Sequence, residues 1–368
     1  MNVLVCIPCL LTGGTEIQTL SLVEALVEAG HAVEVACYFE NSPLMVKRYE
    51  NAGAAVRVMS KEEKRPSGMF PTIRHLWFGL RRIVKEFKPD VAHVQYMAPG
   101  ALPIVILRAL GVKRIIATSH TGGDIYSTNG LRVIRLLTNH VLTAFQCITE
   151  RAEKSYFGDS RLFDGLLSRH FTIYNNIPSH ISILSEPRPV KTDEETIMVG
   201  VVSRLEPIKG MDLVVPAFVK AYRRNQRLRL LVVGDGSQRE LMERQARGGG
   251  VTDRVEFAGR RVQSELQGYY DRIDILLMPS RSEGFGLTAI EGMARGCVPI
   301  VANVGGLPEV VTAECGFLHK PEDIDDISLQ ILNSSVTLYR KSMASMNRAD
   351  QFSSFRYRSN IKNLYSLI

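Results

Sequence analysis

Two successive series of short apolar runs, alternating with amphipathic segments, constrain the fold of this chain more than any other feature. The first series reads NVLVCIP, HAVEVACY, AVRVM, VAHVQ, RIIATSH, FQCIT and FTIYN, and the second reads TIMVGVVSR, LRLLVVGDG, VEFAG, ILLMPS and VPIVANV. Many of these runs are continuous and β-branched, which is typical of strands buried on both faces of a sheet. Strands that alternate with helices predict parallel sheets with right-handed crossovers.

The segment between the two series has the composition of a linker. Residues 181–195 contain two prolines and several charges, and a chain of 368 residues is long enough for two domains, each with its own core. We therefore expect an α/β architecture of two Rossmann-like domains, over residues 1–178 and 179–353, that face each other across a cleft. Doubly wound sheets bind ligands at the carboxyl ends of their strands, so the residues that carry chemistry should lie just after strands.

The composition favours a cytoplasmic protein with a negatively charged partner. The net charge is +7, which suits polyanions, anionic membrane surfaces or phosphorylated substrates. No basic leader precedes the first strand, and no apolar run approaches the ~20 residues of a membrane span. We therefore expect a cytoplasmic chain, either free or peripheral on the inner face of the membrane. The six cysteines are scattered through strand-like contexts, as reduced thiols would be.

A pair of cations follows the first strand of the second series. Ser203-Arg204 stands at the end of this strand, and Lys209-Gly210 stands just before a predicted helix. A guanidinium and a second cation at this spacing could clamp a diphosphate, whereas the alternative is two solvated surface cations. The position at a strand end favours the diphosphate interpretation.

Two carboxylates flank a glycine turn in the stretch SEGFGLTAIEGMARG, which follows the strand ILLMPS. Gly284-Phe285-Gly286 leads into a predicted helix over 287–295, whose free amides suit a phosphate. Glu283 could accept hydrogen bonds from hydroxyl groups, and Glu291 suits two ribose hydroxyls because a carboxylate accepts both. In the alternative, Glu283 only caps the helix and Glu291 lies in a buried salt bridge.

Three further strand ends carry residues suited to contact a ligand through the backbone. Gly13 and Gly14 open the first helix, where a ligand can approach closely and an anion is favoured; a flexible turn is an equally good interpretation. The turn at Gly234 fits either the rim of a cleft or a bare turn. The backbone around Arg261 and Val262, after the strand VEFAG, could hydrogen-bond the edge of a base.

These motifs, in this order, resemble those of glycosyltransferase family 4, whose members are retaining nucleotide-sugar enzymes of GT-B fold. Glu283 and Glu291 look like the E-x7-E signature of that family, including its G-F-G centre. The stretch 203–210 resembles the S-R-x-x-x-x-K-G segment, and the stretch 13–16 resembles the amino-terminal G-G-x-E loop. Each motif is modest by itself, but together they are specific.

The resemblance extends to the places where the chain would cross between domains. The stretch 175–178 resembles the end of the crossing strand, although Asn176 replaces the usual glycine. The last residues, 354–368, look like the closing helix that returns to the first domain. The resemblance therefore covers nearly the whole chain.

The resemblance implies a role for each motif. The two cations and the amides of the glycine turn would hold the donor diphosphate, the first carboxylate the donor sugar, the second the ribose, and the backbone near position 261 the base. The donor-binding residues would be Gly13, Gly14, Ser203, Arg204, Lys209, Gly234, Arg261, Val262, Glu283, Gly284, Phe285, Gly286, Leu287, Thr288 and Glu291. The catalytic residues would be Arg204, Lys209, Glu283 and His120, the last of which matches the family histidine that approaches the donor sugar.

The reaction that the resemblance implies is transfer of a hexose from a UDP- or GDP-linked sugar to a saccharide or lipid-linked acceptor, in surface polysaccharide or glycoconjugate biosynthesis. Retention in this family is thought to proceed by front-face attack through an ion-pair-like transition state, without a cofactor or a metal. Asp323-Ile-Asp325 does match the D-x-D of metal-dependent glycosyltransferases. Its place at a predicted helix start is explained by the helix dipole, so we expect no metal there.

The segment 61–88 is strongly basic and contains Phe70, Trp77 and Phe78. It could lie on an anionic membrane and admit a lipid-linked acceptor, or it could be an ordinary amphipathic crossover helix with a solvated basic face. Both interpretations stay open at this point.

Two other functions compete with sugar transfer. A GT-B-fold epimerase of UDP-N-acetylglucosamine would release UDP without an acceptor, so dependence on an acceptor separates the two enzymes. A basic nucleic-acid-binding protein is the non-enzymatic alternative, but one tryptophan and no interleaving of aromatic and basic residues argue against it. We therefore expect no nucleic-acid partner.

Overall fold

The computed structural model of this chain describes residues 1–60, 65–97, 99–192 and 194–368. It divides into two compact units, Met1–Asn176 with Ser354–Ile368 and Ile177–Ser353. Among the described residues, no helix has both the length and the apolar character needed to cross a membrane.

The first unit is a seven-stranded parallel sheet in the order β3-β2-β1-β4-β5-β6-β7. Its elements are β1 (Asn2–Ile7), α1 (Gly14–Glu28), β2 (Ala32–Cys37), α2 (Pro43–Asn51), β3 (Ala55–Val58), α3 (Met69–Phe87), β4 (Val91–Tyr96), α4 (Leu102–Ala109), β5 (Arg114–Ser119), α5 (Thr128–His140), β6 (Ala144–Cys147), α6 (Glu150–Phe157) and β7 (His170–Thr172). This strand order reverses direction between β1 and β4, the position where doubly wound sheets bind ligands.

The second unit repeats this plan with a six-stranded parallel sheet in the order β10-β9-β8-β11-β12-β13. Its elements are β8 (Ile197–Val202), α7 (Met211–Tyr222), β9 (Leu228–Val233), α8 (Arg239–Gly248), β10 (Val255–Gly259), α9 (Gln263–Arg272), β11 (Ile275–Met278), α10 (Leu287–Ala294), β12 (Val298–Ala302), α11 (Leu307–Val310), β13 (Phe317–His319) and α12 (Ile324–Asp350). Its strand order reverses between β8 and β11. A final helix, α13 (Ser354–Ser366), belongs to the first unit.

The apolar runs form strands because both faces of each sheet are covered by helices. Every residue of β4, β11 and β12 is buried, and burying continuous apolar strands on two faces is the main favourable term for such sheets. All twelve strands predicted from the sequence are present. The thirteenth, β13, lies at the sheet edge and is only three residues long, too short to show a pattern in the sequence.

The segment between the two strand series is pinned to the second unit by one arginine. The Arg188 guanidinium donates hydrogen bonds to the carbonyl oxygens of Tyr270, Ile273 and Arg295, at 2.7, 2.5 and 2.6 Å. Three bonds to an ionised donor fix this part of the predicted linker against the second sheet. The six cysteines, all within the described residues, are free thiols.

Candidate functional site

The loops that leave β8 and β11, together with α10, carry most of the predicted donor-binding residues. Arg204 follows β8 directly; its side chain is exposed and, among the described residues, its guanidinium makes no hydrogen bond or ion pair. Lys209 ends a short 3₁₀ turn that precedes α7. Both cations therefore lie at the carboxyl edge of the sheet, where its strand order reverses.

Lys209 and Glu283 form an ion pair that joins these two loops. The Lys209 Nζ lies 2.6 Å from Glu283 Oε2, and the two side chains are only 22% and 18% exposed. The sequence gives them separate roles, one on a diphosphate and one on a sugar, whereas in the structure the charge of each neutralises that of the other. A partly desolvated pair is stronger than an exposed one because water screens it less.

Arg281 braces the turn that carries Lys209. Its two terminal nitrogens donate to the carboxylate of Asp212 at 2.8 and 2.9 Å, and one of them also reaches Glu322 at 2.7 Å. Its side chain donates to the carbonyl oxygen of Pro207, and its backbone amide donates to the carbonyl oxygen of Ile208 at 2.9 Å. The hydrogen bonds to the carboxylates of Asp212 and Glu322 raise the pKa of Arg281 above its ordinary value, so this guanidinium stays charged at any physiological pH.

The backbone of Glu283 is held from the other side by the loop after β12. Gly306 donates its amide to the Glu283 carbonyl at 3.1 Å. Gly305 has φ of 53°, and a Cβ at this position would lie 1.8 Å from the same carbonyl oxygen. Only glycine therefore allows this approach, which fixes where the Glu283 side chain begins.

The helix α10 begins directly after the glycine turn 284–286, as the sequence predicts. Its first residues, Leu287 and Thr288, present amides that have no partner within a helix by virtue of their position. The positive end of the helix dipole lies at the same point. The site thus combines two cations with an anion-favouring helix terminus, although a helix of this length contributes only modestly by itself.

Glu291 lies on α10 and is 8% exposed. The buried Tyr270 hydroxyl donates to its Oε2 at 2.6 Å. Burial raises the pKa of Glu291 from 4.5 to about 7, and the Tyr270 hydroxyl partly opposes this rise. Glu291 is therefore buried, as the alternative interpretation of the sequence had it, but its partner is the Tyr270 hydroxyl and not a cation.

The loops after β9 and β10 complete this edge of the second sheet. Gly234 lies against the loop after β8: a Cβ on it would fall 1.8 Å from the Ser203 carbonyl oxygen. The Val262 amide donates to Glu265 at 3.0 Å, which occupies the donor that the sequence offers to a base. The Arg261 guanidinium donates to the carbonyl oxygen of Ala258 and lies over the ring of Tyr269. The Val262 amide and the Arg261 side chain therefore both have partners within the second unit.

In the first unit, the predicted glycine loop and histidine occupy the carboxyl edge of its sheet. Gly13 is the N-cap of α1, which begins at Gly14. His120 follows β5, and its Nε2 lies 2.6 Å from Gln95 Oε1. Burial lowers the pKa of His120 from 6.5 to about 4, so its imidazole is neutral at physiological pH.

The D-x-D motif is accounted for by local structure. Asp323 is the N-cap of α12 and accepts a hydrogen bond from the Asp326 amide at 2.9 Å. Asp325 pairs with Lys220 at 2.5 Å. Over the part of the chain that the structure describes, no group of three or more His, Cys, Asp or Glu residues is arranged to hold a metal.

Four residues near the predicted ones were missed by sequence reasoning, namely Gln95, Tyr270, Arg281 and Gly305. Each acts on a predicted residue from another element, so no local pattern reveals it. Arg281 alone had a local signal, because it lies between a buried strand and the glycine turn. A charged residue at that point must either face the site or support it.

Comparison with protein families assigns the two halves of the chain separately. Residues 12–154 match the model described as Glycosyltransferase Family 4, and residues 183–335 match the one described as Glycosyl transferases group 1. The chain is 29% identical to the GDP-mannose-dependent monoacylated alpha-(1-6)-phosphatidylinositol monomannoside mannosyltransferase of Corynebacterium glutamicum, over 76% of this chain and 75% of that protein. It is 24% identical to the phosphatidylinositol N-acetylglucosaminyltransferase gpi3 subunit of Schizosaccharomyces pombe, over 89% and 70%.

Solved structures agree with this assignment at the level of the fold. Anabaena Alr3699/HepE in complex with UDP superimposes with a TM-score of 0.80 at 17% identity, over all of both chains. The sucrose-phosphate synthase of Thermosynechococcus elongatus gives a TM-score of 0.75 at 20% identity, over 100% and 98% of the two chains. The fold is thus the two-domain α/β fold called GT-B, and the chain is a glycosyltransferase that belongs to the family 4 type.

Proposed function

We propose that this glycosyltransferase is a retaining hexosyltransferase that takes its sugar from a UDP- or GDP-linked donor and passes it to a saccharide or lipid-linked acceptor, in surface polysaccharide or glycoconjugate biosynthesis. The observation that carries the proposal is the grouping at one sheet edge of Arg204, the Lys209–Glu283 pair and the start of α10. Fixed cations and amides of this kind suit a diphosphate leaving group.

The relatives support a nucleotide-sugar donor but differ in its base. The Corynebacterium relative is named for GDP-mannose, and Alr3699/HepE has been crystallised with UDP and with UDP-glucose. The proposal therefore leaves the base open between uridine and guanosine.

The Lys209–Glu283 ion pair supports a way in which the donor would bind. A diphosphate that binds Lys209 takes the place of the Glu283 carboxylate, which then becomes available to accept hydrogen bonds from hydroxyls of the donor sugar. Arg204 and the amides of 286–288 would stabilise the charge that develops on the departing nucleotide, so no protein nucleophile is needed. Glu291 would hold the ribose, and His120 would contact the sugar.

For the acceptor, we propose a lipid-linked molecule that uses a groove beside α3. The groove has a volume of about 630 Å³ and is lined by Met59, Phe70, Pro71, Arg74, His75, Phe78 and Gly79. Phe70 is 84% exposed and Phe78 is 59% exposed, and Arg74 makes no ion pair within the described residues. Exposed aromatic side chains beside an unpaired guanidinium suit an apolar chain with an anionic headgroup. Residues 61–64 of the predicted basic segment lie outside the described residues.

The membrane part of this proposal is tested by sedimentation with vesicles of phosphatidylcholine and phosphatidylglycerol. The double variant Phe70→Asp, Phe78→Asp should lose binding to the anionic vesicles, and the wild type should bind them more weakly as salt is added. Leu329→Asp, which changes an exposed apolar residue of α12 in the second unit, serves as the control. Equal sedimentation of all three proteins would reject the membrane contact.

The donor part is tested first by thermal stabilisation with UDP-, GDP- and ADP-sugars, because a ligand that binds only the folded chain raises its melting temperature. With the donor so chosen, Arg204→Ala and Lys209→Ala should each lower kcat by about a hundredfold or more. The control is Arg224→Ala, which removes an exposed arginine that follows α7, at the opposite edge of the sheet. Near-normal turnover of both site variants, or release of nucleotide that needs no acceptor, would refute the proposed reaction.

A further inference from the structure

A row of polar side chains runs along one face of the β4–β5 pair. His93 and Gln95 are two residues apart on β4, and Thr118 lies on β5, two residues before His120, which follows that strand. Gln95 and Thr118 are register partners, and residues in register on parallel strands point to the same face, as do residues two apart. His93, Gln95 and Thr118 are at most 4% exposed.

At the end of this row away from the carboxyl edge of the sheet, His93 has hydrogen-bond partners for both of its ring nitrogens. His93 Nε2 lies 2.6 Å from Thr118 Oγ1, and His93 Nδ1 lies 2.8 Å from the hydroxyl of Tyr365 on α13. Both ring nitrogens of His93 are therefore occupied. The side chain of Gln95 is directed instead towards His120, at the carboxyl end of the sheet.

The contact between Gln95 and His120 has a defined direction. The atom of Gln95 that faces His120 Nε2 at 2.6 Å is Oε1, a carbonyl oxygen, which can only accept. The hydrogen must then reside on His120 Nε2. Because burial keeps this ring neutral, Nδ1 carries the lone pair, and it makes no hydrogen bond to any residue that the structure describes.

We infer that Gln95 is a positioning residue that holds the His120 ring as the Nε2–H tautomer, so that Nδ1 accepts a hydrogen bond from a hydroxyl group of the bound sugar. The inference rests on the proposed function, since only there does His120 meet a substrate. His120 then acts as a neutral hydrogen-bond acceptor that orients a hydroxyl group of the sugar. No proton is transferred to or from the ring.

Packing alone does not account for a glutamine at this position. The Gln95 amide nitrogen is buried and, within the described residues, has no hydrogen-bond partner. A buried amide without an acceptor costs free energy that an apolar side chain of similar size would avoid. The contact that distinguishes glutamine from such a side chain is the one with His120.

The tautomer can be read directly by two-bond ¹H–¹⁵N spectra of the ¹⁵N-labelled full chain, in which the His120 signals are assigned from their loss in His120→Asn. We expect a protonated Nε2 and an unprotonated Nδ1 in the wild type without ligand. A protonated Nδ1 would overturn the inference. Because this measurement needs no substrate, it is independent of whether the chain transfers a hexose.

Variants of Gln95 test its part in this arrangement. Gln95→Met should give a mixture of tautomers and lower kcat by about tenfold, the effect of about one hydrogen bond. Gln95→Glu should keep the Nε2–H tautomer, because a carboxylate also only accepts, and should raise the pH at which His120 titrates; the nearby His93 stays neutral through burial. Gln330→Met, a change at a half-buried glutamine of α12 in the second unit, is the control and should leave the His120 signals unchanged.

Unchanged His120 tautomer and kcat in Gln95→Met would overturn the inference. If Gln95→Glu does not fold, the wild-type and Gln95→Met spectra decide it. A wild type with the expected tautomer that transfers no sugar from any nucleotide donor would refute the proposed function and leave the tautomer assignment standing.

Discussion

The burial of Glu291 predicts that a single substitution has opposite effects on stability and on nucleotide binding. In Glu291→Gln the side chain keeps its size and still accepts the Tyr270 hydrogen bond, but it no longer ionises. The carboxyl has a pKa of about 7 in the folded chain against an ordinary value of 4.5. The folded state therefore holds this proton more tightly than the unfolded state does.

This difference has a definite sign and size. Between about pH 4.5 and about pH 7, the unfolded chain loses the proton first, so the free energy of unfolding falls as pH rises, and above this window the loss is complete. At 1.36 kcal/mol per pH unit the full loss is about 3 kcal/mol. Glu291→Gln should therefore stabilise the chain by about 3 kcal/mol near pH 8 and by less than about 1 kcal/mol near pH 5.

The opposite effect concerns the ribose. A carboxylate can accept from both ribose hydroxyls, whereas the amide of glutamine offers one acceptor oxygen and no charge. We expect Glu291→Gln to weaken the binding of UDP or GDP by about 2 kcal/mol, or roughly thirtyfold, at about pH 8. Wild-type affinity should itself fall as pH drops below about 7, because the carboxyl is then protonated.

Urea unfolding at the two pH values and titration calorimetry with UDP and GDP measure these effects. Unfolding is followed by circular dichroism, because Trp77, the only tryptophan, lies in the first unit. Glu240→Gln, which changes an exposed glutamate of α8, is the control. A stabilisation that is equal at both pH values, or absent at pH 8, would refute the burial argument, and unchanged nucleotide affinity would refute the ribose contact.

Three further predictions concern the residues that support the site. Tyr270→Phe removes the hydroxyl that stabilises the charged form of Glu291, so the midpoint of the pH dependence of UDP or GDP binding should move to higher pH. Gly305→Ala places a Cβ 1.8 Å from the Glu283 carbonyl and should lower kcat by about tenfold or more while destabilising the chain by about 1–3 kcal/mol, measured by steady-state kinetics and urea unfolding. Arg281→Met removes the brace of the lysine turn and should lower kcat/KM for the donor by about tenfold, measured with the acceptor at saturation.

Each of these variants has a control and a result that contradicts it. Gly248→Ala, where an added Cβ meets nothing within 4 Å, should leave kcat unchanged; an equal loss in Gly305→Ala and Gly248→Ala would exclude a specific effect on Glu283. Arg224→Met should keep the wild-type kcat/KM, and Arg281→Met should not match it. A binding midpoint in Tyr270→Phe at or below that of the wild type would contradict the assigned hydrogen bond.

Periodic and local features of this fold are readable in the sequence, because they depend on neighbouring residues. Apolar runs identify strands, and the first helix, which the sequence opens at Gly13 and Gly14, is found as α1. The same holds for the strand ends that place Arg204 and His120 at a sheet edge. The edge strand β13 could not be predicted in this way, because three residues are too few to show the alternation of a strand.

Contacts between distant segments set the chemistry of the site, and these are not readable from spacing. The Lys209–Glu283 pair joins residues 74 positions apart, so the sequence could assign each a ligand but could not show that the two side chains pair with each other. The carboxylate of Glu291 likewise owes its raised pKa to burial against Tyr270. The roles assigned to these residues through the family resemblance stay predictions until the donor experiments are done.

The position of α13 in the sequence determines when the core of the first unit can be completed during synthesis. Tyr357, Ile361, Leu364 and Tyr365 of α13 are buried in the core of the first unit, together with Val3, Val5 and Ile7 of its first strand. A ribosome therefore completes all of the second unit before it supplies the residues that close the core of the first. Until then the surface of the first unit that α13 covers, including His93 of β4, which bonds to Tyr365, is without its final partner. An apolar surface of the unit that is made first therefore stays exposed until α13 is made.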